Sequence, residues 1–262
     1  MGERVNILIT GASSGLGARM AHEFAARGRN LALCARRIDR LEQLRGELLR
    51  AHRNVDVAVA ELDVTNHDDV FGAFHHLSGE LGGLDRVIVN AGISQGAPVG
   101  TGHFNTNLAI ANTNFIAALA QCEAAMEIFG ARGDGHLVVI SSIAALRGMP
   151  GFQIYSASKA GLATLAEAIR AHTLATPITV TTIYPGFIDS DLGGAGGSGT
   201  SKPFTVCTEK GVRAMVKAIE REPAQAKVPA WPWVPLGFAL RHLPLRVIAA
   251  ALTTTPSRGY SA

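Results

Sequence analysis

A strand, a glycine-rich turn and a helix follow one another directly near the start of the chain. Val5 to Thr10 is a short apolar run, residues 11–17 read Gly-Ala-Ser-Ser-Gly-Leu-Gly, and a helical pattern continues to about Gly28. Glycines let a backbone approach a pyrophosphate closely, and a helix N-terminus offers unpaired N–H groups and the positive end of its dipole. The order therefore predicts a dinucleotide phosphate site, with a plain tight turn as the alternative for the glycines alone.

Further apolar runs alternate with stretches of helical spacing. These runs are Leu31–Ala35, Val55–Leu62, Val87–Val89, His136–Ser141 and Ile178–Ile183. Their composition is typical of strands buried in a parallel sheet. The chain of 262 residues, of which 47% are hydrophobic, is long enough for one large α/β core.

Tyr155 and Lys159 stand four residues apart at the head of an apolar helical run. On a helix they lie on the same face, where an ammonium group would lower the pKa of a phenol towards working pH. Such a tyrosine can donate or accept a proton at a carbonyl or alcohol oxygen. A half-exposed surface pair is the alternative for this spacing alone. Ser142, however, closes the run that begins at His136, at the carboxyl end of a predicted strand, where ligands of open α/β sheets bind.

Together these motifs resemble the short-chain dehydrogenase/reductase family in its compact single-domain subtype, over about residues 5–190. The resemblance implies an α/β Rossmann fold: a doubly wound parallel sheet of about seven strands with helices on both faces, in one domain over residues 1–262. It implies a catalytic set of Asn114, Ser142, Tyr155 and Lys159, with Asn112 as the alternative to Asn114. It also implies a cofactor site of Gly11, Ser13, Ser14, Gly15, Leu16, Gly17, Arg36, Arg37, Asp63, Val64, Asn90, Ala91, Gly92, Tyr155, Lys159, Pro185, Gly186, Phe187, Ile188 and Ser190.

Some of these positions have a physical reason of their own or an open alternative. Arg36, directly after the second strand, suits the 2′-phosphate of NADP, so NADP(H) is the expected cofactor and NAD(H) the alternative. Ser13 and Arg37 would add contacts to that phosphate. The alternative is that both arginines are merely solvated. Asp63 would hold the adenine edge or cap the helix that begins near His67. Ser190 stands where the family has a threonine that binds the carboxamide of the nicotinamide.

The last part of the chain departs most from the family pattern. About residues 187–207 are expected to form a mobile substrate lid, and we expect only one helix and a tail at about 228–262 to follow. The tail combines Trp231 and Trp233 with prolines, apolar residues and a few cations. It predicts an interfacial membrane element, a cap on the substrate pocket or an oligomer interface.

Composition narrows the cellular setting. The net charge is +3 with the basic residues scattered, so no nucleic-acid surface is expected. Cys34, Cys122 and Cys207 lack metal-ligand or disulfide spacing and are interpreted as buried fillers in a reduced compartment. No metal site, signal peptide or spanning helix is expected, and the predicted location is the cytoplasm.

The sequence therefore predicts a nicotinamide-dependent carbonyl reductase or alcohol dehydrogenase. The expected substrate is a small, hydrophobic carbonyl or alcohol compound, and the family resemblance favours a homo-oligomer, a dimer or a tetramer. A cofactor-binding sensor or scaffold without turnover is one alternative. A lyase or epimerase on the same fold is another, although such enzymes usually have a longer substrate region than this chain provides.

Overall fold

The computed structural model describes residues 3–94, 96–188 and 207–252. Seven parallel strands form one sheet in the order β3-β2-β1-β4-β5-β6-β7. The strands are β1 (Asn6–Thr10), β2 (Asn30–Ala35), β3 (Val57–Glu61), β4 (Arg86–Val89), β5 (Gly135–Ile140), β6 (Ile178–Pro185) and β7 (Gln225–Val228). The order reverses between β1 and β4, and ligands of such sheets bind outside the carboxyl ends at that point.

Helices lie between successive strands, as a doubly wound fold requires, and two further helices follow the last strand. They are α1 (Gly15–Ala25), α2 (Ile38–Ala51), α3 (His67–Glu80), α4 (Phe104–Ala111), α5 (Ala117–Arg132), α6 (Gln153–Thr173), α7 (Thr208–Ile219), α8 (Ala230–His242) and α9 (Leu245–Leu252). A π-helical turn, Asn112–Ile116, joins α4 to α5, and a 3-10 turn, Ile143–Leu146, follows β5. The predicted parallel sheet of about seven strands with helices on both faces is confirmed.

Each central strand contributes to two apolar cores, one on either face of the sheet. Side chains alternate between the faces of a strand. Val87, Val89 and Val139 pack with α3, α5 and α6, whereas Ile88 and Val138 pack with α1, α2 and α7. A strand covered on both faces has no polar side, which explains why these runs are continuously apolar.

The chain after residue 206 contains more structure than the sequence predicts. Where one helix and a tail were expected, the structure has α7, the edge strand β7, and the further helices α8 and α9. The proline-rich segment is largely helical from Ala230 to His242, although Pro229 and Trp231 have extended geometry. Cys34 and Cys122 are buried as expected, but Cys207 is exposed, so its interpretation as a core residue is wrong. Within the described residues no helix is long and apolar enough to cross a membrane.

A charged cluster lies at the amino-terminal edge of the sheet. We use this name for Arg4, Arg86, His136, Glu220 and Glu222. The Arg86 Nε atom donates to Nδ1 of His136 at 2.8 Å, and its terminal nitrogens contact Glu220 at 3.0 Å and Glu222 at 3.2 Å. Arg4 contacts Glu222 at 3.1 Å. The cluster ties the ends of the central strands to the turn between α7 and β7.

His136 should make the stability of the fold depend on pH. Its ring is fully buried, and burial, followed by the charges of Arg86 and Arg4, holds its pKa well below 6.5. Below about pH 6.5 the imidazole of His136 therefore binds a proton in the unfolded chain but stays neutral in the native state. We expect the free energy of unfolding to fall as the pH drops below about 6.5, by up to about 1.4 kcal/mol per pH unit from this group.

Urea unfolding at about pH 7.5 and about pH 5.5 measures this dependence, with His136→Gln as the comparison. Carboxylates titrate in both proteins. The difference between the two losses of unfolding free energy on acidification therefore reports on His136 alone. The variant should be less stable at the higher pH and lose less stability on acidification. Equal losses in the two proteins would contradict a neutral, buried imidazole.

Candidate active site

Ser142 and Tyr155 meet at the carboxyl edge of the sheet. Ser142 follows β5 in extended geometry and caps the 3-10 turn, because its hydroxyl accepts from the N–H of Ala144 at 3.2 Å. Tyr155 lies in the first turn of α6, close enough to Ser142 for that side chain to lower the pKa of the phenol. Both side chains are partly exposed. A hydroxyl pair open on one side can receive a substrate oxygen.

Lys159 is buried and does not act on Tyr155 as the sequence predicts. Its ammonium donates to the carbonyl of Ile140 at 2.9 Å, and burial lowers its pKa to about 8. Burial raises the pKa of Tyr155, and the neighbouring Ser142 side chain offsets this only in part. The expectation that Lys159 lowers the phenol pKa is therefore wrong for this structure, because the ammonium is held by a backbone carbonyl and the phenol is desolvated.

Asn114 and Lys159 both border Gly92, the last residue of the Asn-Ala-Gly tripeptide after β4. A Cβ placed on Gly92 would lie 3.1 Å from Oδ1 of Asn114 and 3.4 Å from Nζ of Lys159. The tripeptide is fixed in turn by Thr10, whose hydroxyl accepts from the N–H groups of Asn90 and Ala91 at 2.9 and 3.0 Å. The four predicted catalytic residues thus occur in two neighbouring pairs, Ser142 with Tyr155 and Asn114 with Lys159.

The π-helical turn Asn112–Ile116 explains why an asparagine stands inside a helical stretch. The side chain of Asn114 is fully buried, and it donates to the carbonyl of Ile93 and accepts from the N–H of Ile93, each at 2.8 Å. Asn112 is exposed. Short π-helical segments frequently occur at functional sites. The geometry favours Asn114 over Asn112 for the predicted role.

The glycine-rich turn packs against the tripeptide so closely that side chains are excluded. A Cβ on Gly17 would lie 2.4 Å from the carbonyl oxygen of Gly11, and one on Gly11 would lie 2.9 Å from Cα of Ala91. Leu16 is buried beneath the turn. Ser14 precedes α1 but makes no side-chain cap on it within the described residues. The backbone N–H groups at the N-terminus of α1 therefore have no side-chain cap, and the glycines beside them carry no side chains. This arrangement fits a dinucleotide pyrophosphate.

Arg37 contacts the glycine-rich turn, whereas Arg36 does not. The guanidinium of Arg37 donates to the hydroxyl of Ser13 at 2.9 Å and to that of Ser14 at 2.8 Å. Arg36 is exposed, and its charge helps to lower the pKa of Asp63. Both arginines thus lie at the carboxyl end of β2, where a ribose phosphate is bound in dinucleotide folds.

Asp63 forms a local turn and does not cap the following helix. It accepts from the N–H of Thr65 at 3.0 Å and from the hydroxyl of Thr65 at 2.8 Å, and the N-cap of α3 is Asn66. Desolvation opposes ionisation, but the two hydrogen bonds and Arg36 lower the pKa of Asp63 overall. The capping alternative is therefore wrong. The neighbouring residue Val64 is buried.

The wall opposite the glycine-rich turn is formed where β6 ends. Pro185 closes the strand, Gly186 follows, and the ring of Phe187 packs edge-on against Trp233 of α8, with centroids 5.2 Å apart. Ile188, which the sequence assigns to the cofactor site, packs against Gly211 of α7. Residues 189–206, which include Ser190 and most of the predicted lid, lie outside the described residues.

Known proteins resemble this chain in sequence and in structure. The model of a family described as short chain dehydrogenase matches residues 5–199. The chain belongs to the short-chain dehydrogenase family. It is accordingly an NAD(P)-dependent oxidoreductase, as the sequence motifs predict.

Relatives of this short-chain dehydrogenase include two uncharacterised oxidoreductases. One, from Mycobacterium tuberculosis, is 51% identical over 245 residues, which cover 93% of this chain and 96% of the relative. The other, from Myxococcus xanthus, is 38% identical over 222 residues, covering 85% and 86%. A solved alcohol dehydrogenase from the archaeon Thermococcus sibiricus, complexed with 5-hydroxy-NADP, is 24% identical with a TM-score of 0.75, covering 86% of this chain and 96% of that one. The last likeness shows the shared fold.

Trp233 is the residue at this site that sequence reasoning did not assign. It is buried, its indole lies against Gly186, and a Cβ on that glycine would lie 1.9 Å from Nε1. The indole N–H has no hydrogen-bond partner among the residues that the structure describes. The only sequence signal was the open alternative that the tryptophan-rich segment caps the pocket, and the packing of α8 fits that alternative.

Proposed function

We propose that this short-chain dehydrogenase is an NADP(H)-preferring carbonyl reductase or alcohol dehydrogenase that acts on a hydrophobic substrate. The observation that carries the proposal is the placement of Tyr155 beside Ser142 at the carboxyl edge of the sheet. Both residues lie at the same edge of the sheet as the glycine-rich turn, which fits a dinucleotide. When bound, the nicotinamide group supplies or accepts the hydride.

In reduction, Ser142 would hydrogen-bond the carbonyl oxygen of the substrate while Tyr155 donates its proton to that oxygen. In oxidation, Tyr155 would remove the proton from the alcohol. The raised pKa of Tyr155 keeps the phenol protonated at neutral pH, which suits the reductive direction. Lys159 stays mostly charged at neutral pH because its pKa is about 8, and it would bind the nicotinamide ribose.

Asn114 would connect Lys159 to solvent through a bound water molecule, completing the route by which Tyr155 regains a proton. Its place beside Gly92 and Lys159 supports this role. The Pro185 to Ile188 segment would contact the nicotinamide, together with Ser190. Gly11 to Gly17 would hold the pyrophosphate, and Asp63 and Val64 the adenine.

Cofactor preference would depend on Arg36. It is exposed directly after β2, and no hydrogen bond or ion pair holds it within the described part of the chain. A charge-assisted hydrogen bond contributes about 1.5–3 kcal/mol, so we expect Arg36→Ala to weaken NADPH binding about tenfold to a hundredfold and to leave NADH binding nearly unchanged. Titration of the purified protein with each nucleotide, followed by fluorescence and thermal stability, measures this.

Arg37→Ala is the matched comparison, because it removes the same charge one residue later. Arg37 is bonded to Ser13 and Ser14, so its loss should disturb the turn and weaken both nucleotides to a similar degree. If Arg36→Ala weakens NADH as much as NADPH, Arg36 does not read the 2′-phosphate. If the wild-type protein binds neither nucleotide, the proposed function is wrong, because the reaction requires a bound nicotinamide cofactor.

An apolar wall supports a hydrophobic substrate. Ile143, Leu146, Tyr184 and Trp233 form a buried cluster, and Phe187 packs against it. A ketone screen with NADPH, ranked by the hydrophobicity of the substrate, tests this. We further propose a single domain with a lid over about residues 187–207, a cytoplasmic location, and a homo-oligomer as in the family resemblance.

A further inference from the structure

Helix α8 is apolar on both of its sides. One side faces the site: Trp233 and Gly237 are buried, and Leu236 and Leu240 pack on the cluster beside Ser142. Gly237 is needed there, because a Cβ would lie 2.9 Å from Leu146. A surface helix of a globular protein usually has one apolar side and one polar side. The second apolar side of α8 therefore needs an explanation.

That second side carries large aromatic residues in solvent. The exposed fraction is 79% for Trp231 and 67% for Phe238, and Val234, one turn before Phe238, is also exposed. The exposed residues continue through Leu243 and into α9 with Leu245 and Val247. We call this set the apolar face: Trp231, Val234, Phe238, Leu243, Leu245 and Val247.

The charged side chains of residues 223–262 all have one sign. Arg241 and Arg246 are exposed, and neither forms an ion pair with a residue that the structure describes. Residues 223–262 contain four lysines or arginines and no aspartate or glutamate. His242 adds a further basic group, stacked on the ring of Phe238 with centroids 4.1 Å apart.

A tryptophan and a phenylalanine flanked by arginines match the interface of an anionic lipid bilayer. Aromatic rings are favoured at the level of the lipid headgroups, and cations are attracted to anionic headgroups. A second copy of the chain fits less well. A two-fold interface would bring the same arginines of the two copies together, and residues 223–252 contain no carboxylate to pair with them.

We propose that the apolar face docks this enzyme on the surface of membranes that contain anionic phospholipids. No spanning helix is involved, because the aromatic side chains would enter only the headgroup region. The inner side of α8 lines the site, so a lipid-soluble carbonyl compound would have a short path from the membrane. That last step rests on the proposed function, whereas the docking itself does not.

Co-sedimentation with phosphatidylcholine vesicles, with and without phosphatidylglycerol, tests the proposal on the full chain. We expect retention on the vesicles with phosphatidylglycerol, and much less retention on phosphatidylcholine alone or at high salt. The double variant W231S/F238S should bind at least about tenfold more weakly, because it removes two apolar anchors. R241Q/R246Q should weaken binding to the anionic vesicles about thirtyfold.

Leu174→Ser is the matched control, because Leu174 is 78% exposed but lies at the end of α6, away from the apolar face. It should bind vesicles like the wild-type protein. Thermal unfolding of every variant shows whether the fold is kept. Vesicle binding requires no turnover, so its failure and the failure of the proposed reaction are separate results.

Two outcomes would overturn the proposal. One is equal vesicle retention of the wild-type protein and W231S/F238S, including no retention of either. The other is a dimer, detected by light scattering, that W231S/F238S converts to a monomer, since the apolar face would then be an interface between copies of this chain.

Discussion

Replacement of Tyr155 by phenylalanine is expected to lower kcat/KM by about 10²- to 10⁴-fold, the range for the loss of a general acid or base. The substitution removes one oxygen atom and keeps the ring, which packs edge-on against Phe152 with centroids 6.4 Å apart. The phenol hydroxyl beside Ser142 is the group that disappears. The measurement is the initial rate of NADPH consumption with the best ketone of the screen.

Binding separates the loss of a proton donor from the loss of the site. Tyr155→Phe should bind NADPH within about threefold of the wild-type protein, a difference of less than 1 kcal/mol. Ser158→Ala removes a hydroxyl from the same helix, one that donates only to the carbonyl of Tyr155 within the described residues, and should keep the wild-type rate. A Tyr155→Phe enzyme with more than about a tenth of the wild-type kcat/KM would exclude Tyr155 as the proton donor.

Glu222→Gln should be the most destabilising of the conservative substitutions in the charged cluster, by about 3 kcal/mol. Glu222 pairs with Arg4 and Arg86, whose side chains are only 4% and 1% exposed, and accepts from Thr179 at 2.8 Å. Loss of its charge leaves two buried guanidinium groups partly uncompensated. The free energy of unfolding in urea measures the effect.

Glu209→Gln is the control for burial. Glu209 pairs with Arg213 at 2.9 Å, but the two side chains are 68% and 60% exposed. Exposed pairs contribute about 0–1 kcal/mol, so this variant should unfold nearly like the wild-type protein. If both variants lose the same stability, burial of the charged cluster does not determine its contribution. Because the cluster is far from Tyr155, Glu222→Gln should retain its kcat at a temperature where it is folded.

The parts of the site that follow from local spacing could be predicted from the sequence. The glycine-rich turn runs from the end of β1 into the start of α1, Ser142 follows β5, and Tyr155 lies in the first turn of α6. These places could be predicted because the residues that end a strand or start a helix are neighbours in the sequence. Asn114 was also predictable, although the π-helical turn that buries it was not. Such a turn depends on packing against Ile93 from another part of the chain.

Contacts between distant segments could not be predicted. The sequence placed Lys159 near Tyr155 but gave no sign that the carbonyl of Ile140 would hold the ammonium. It also gave no sign that Arg37 would bond the serines of the glycine-rich turn. Helix α8 could not be predicted, because the low helix propensity of its prolines argues against a helix. Tertiary packing stabilises the segment instead.

The charged cluster also bears on how the chain folds as it leaves the ribosome. Arg4 and Glu222 are separated by 218 positions, and both carboxylate partners of Arg86 follow residue 219. A nascent chain that has released only the first five strands holds Arg86 without either partner, and burying an unpaired guanidinium is costly. We expect the central sheet to reach its final packing only after α7 has emerged, so that synthesis of the last part of the chain sets the time of native folding.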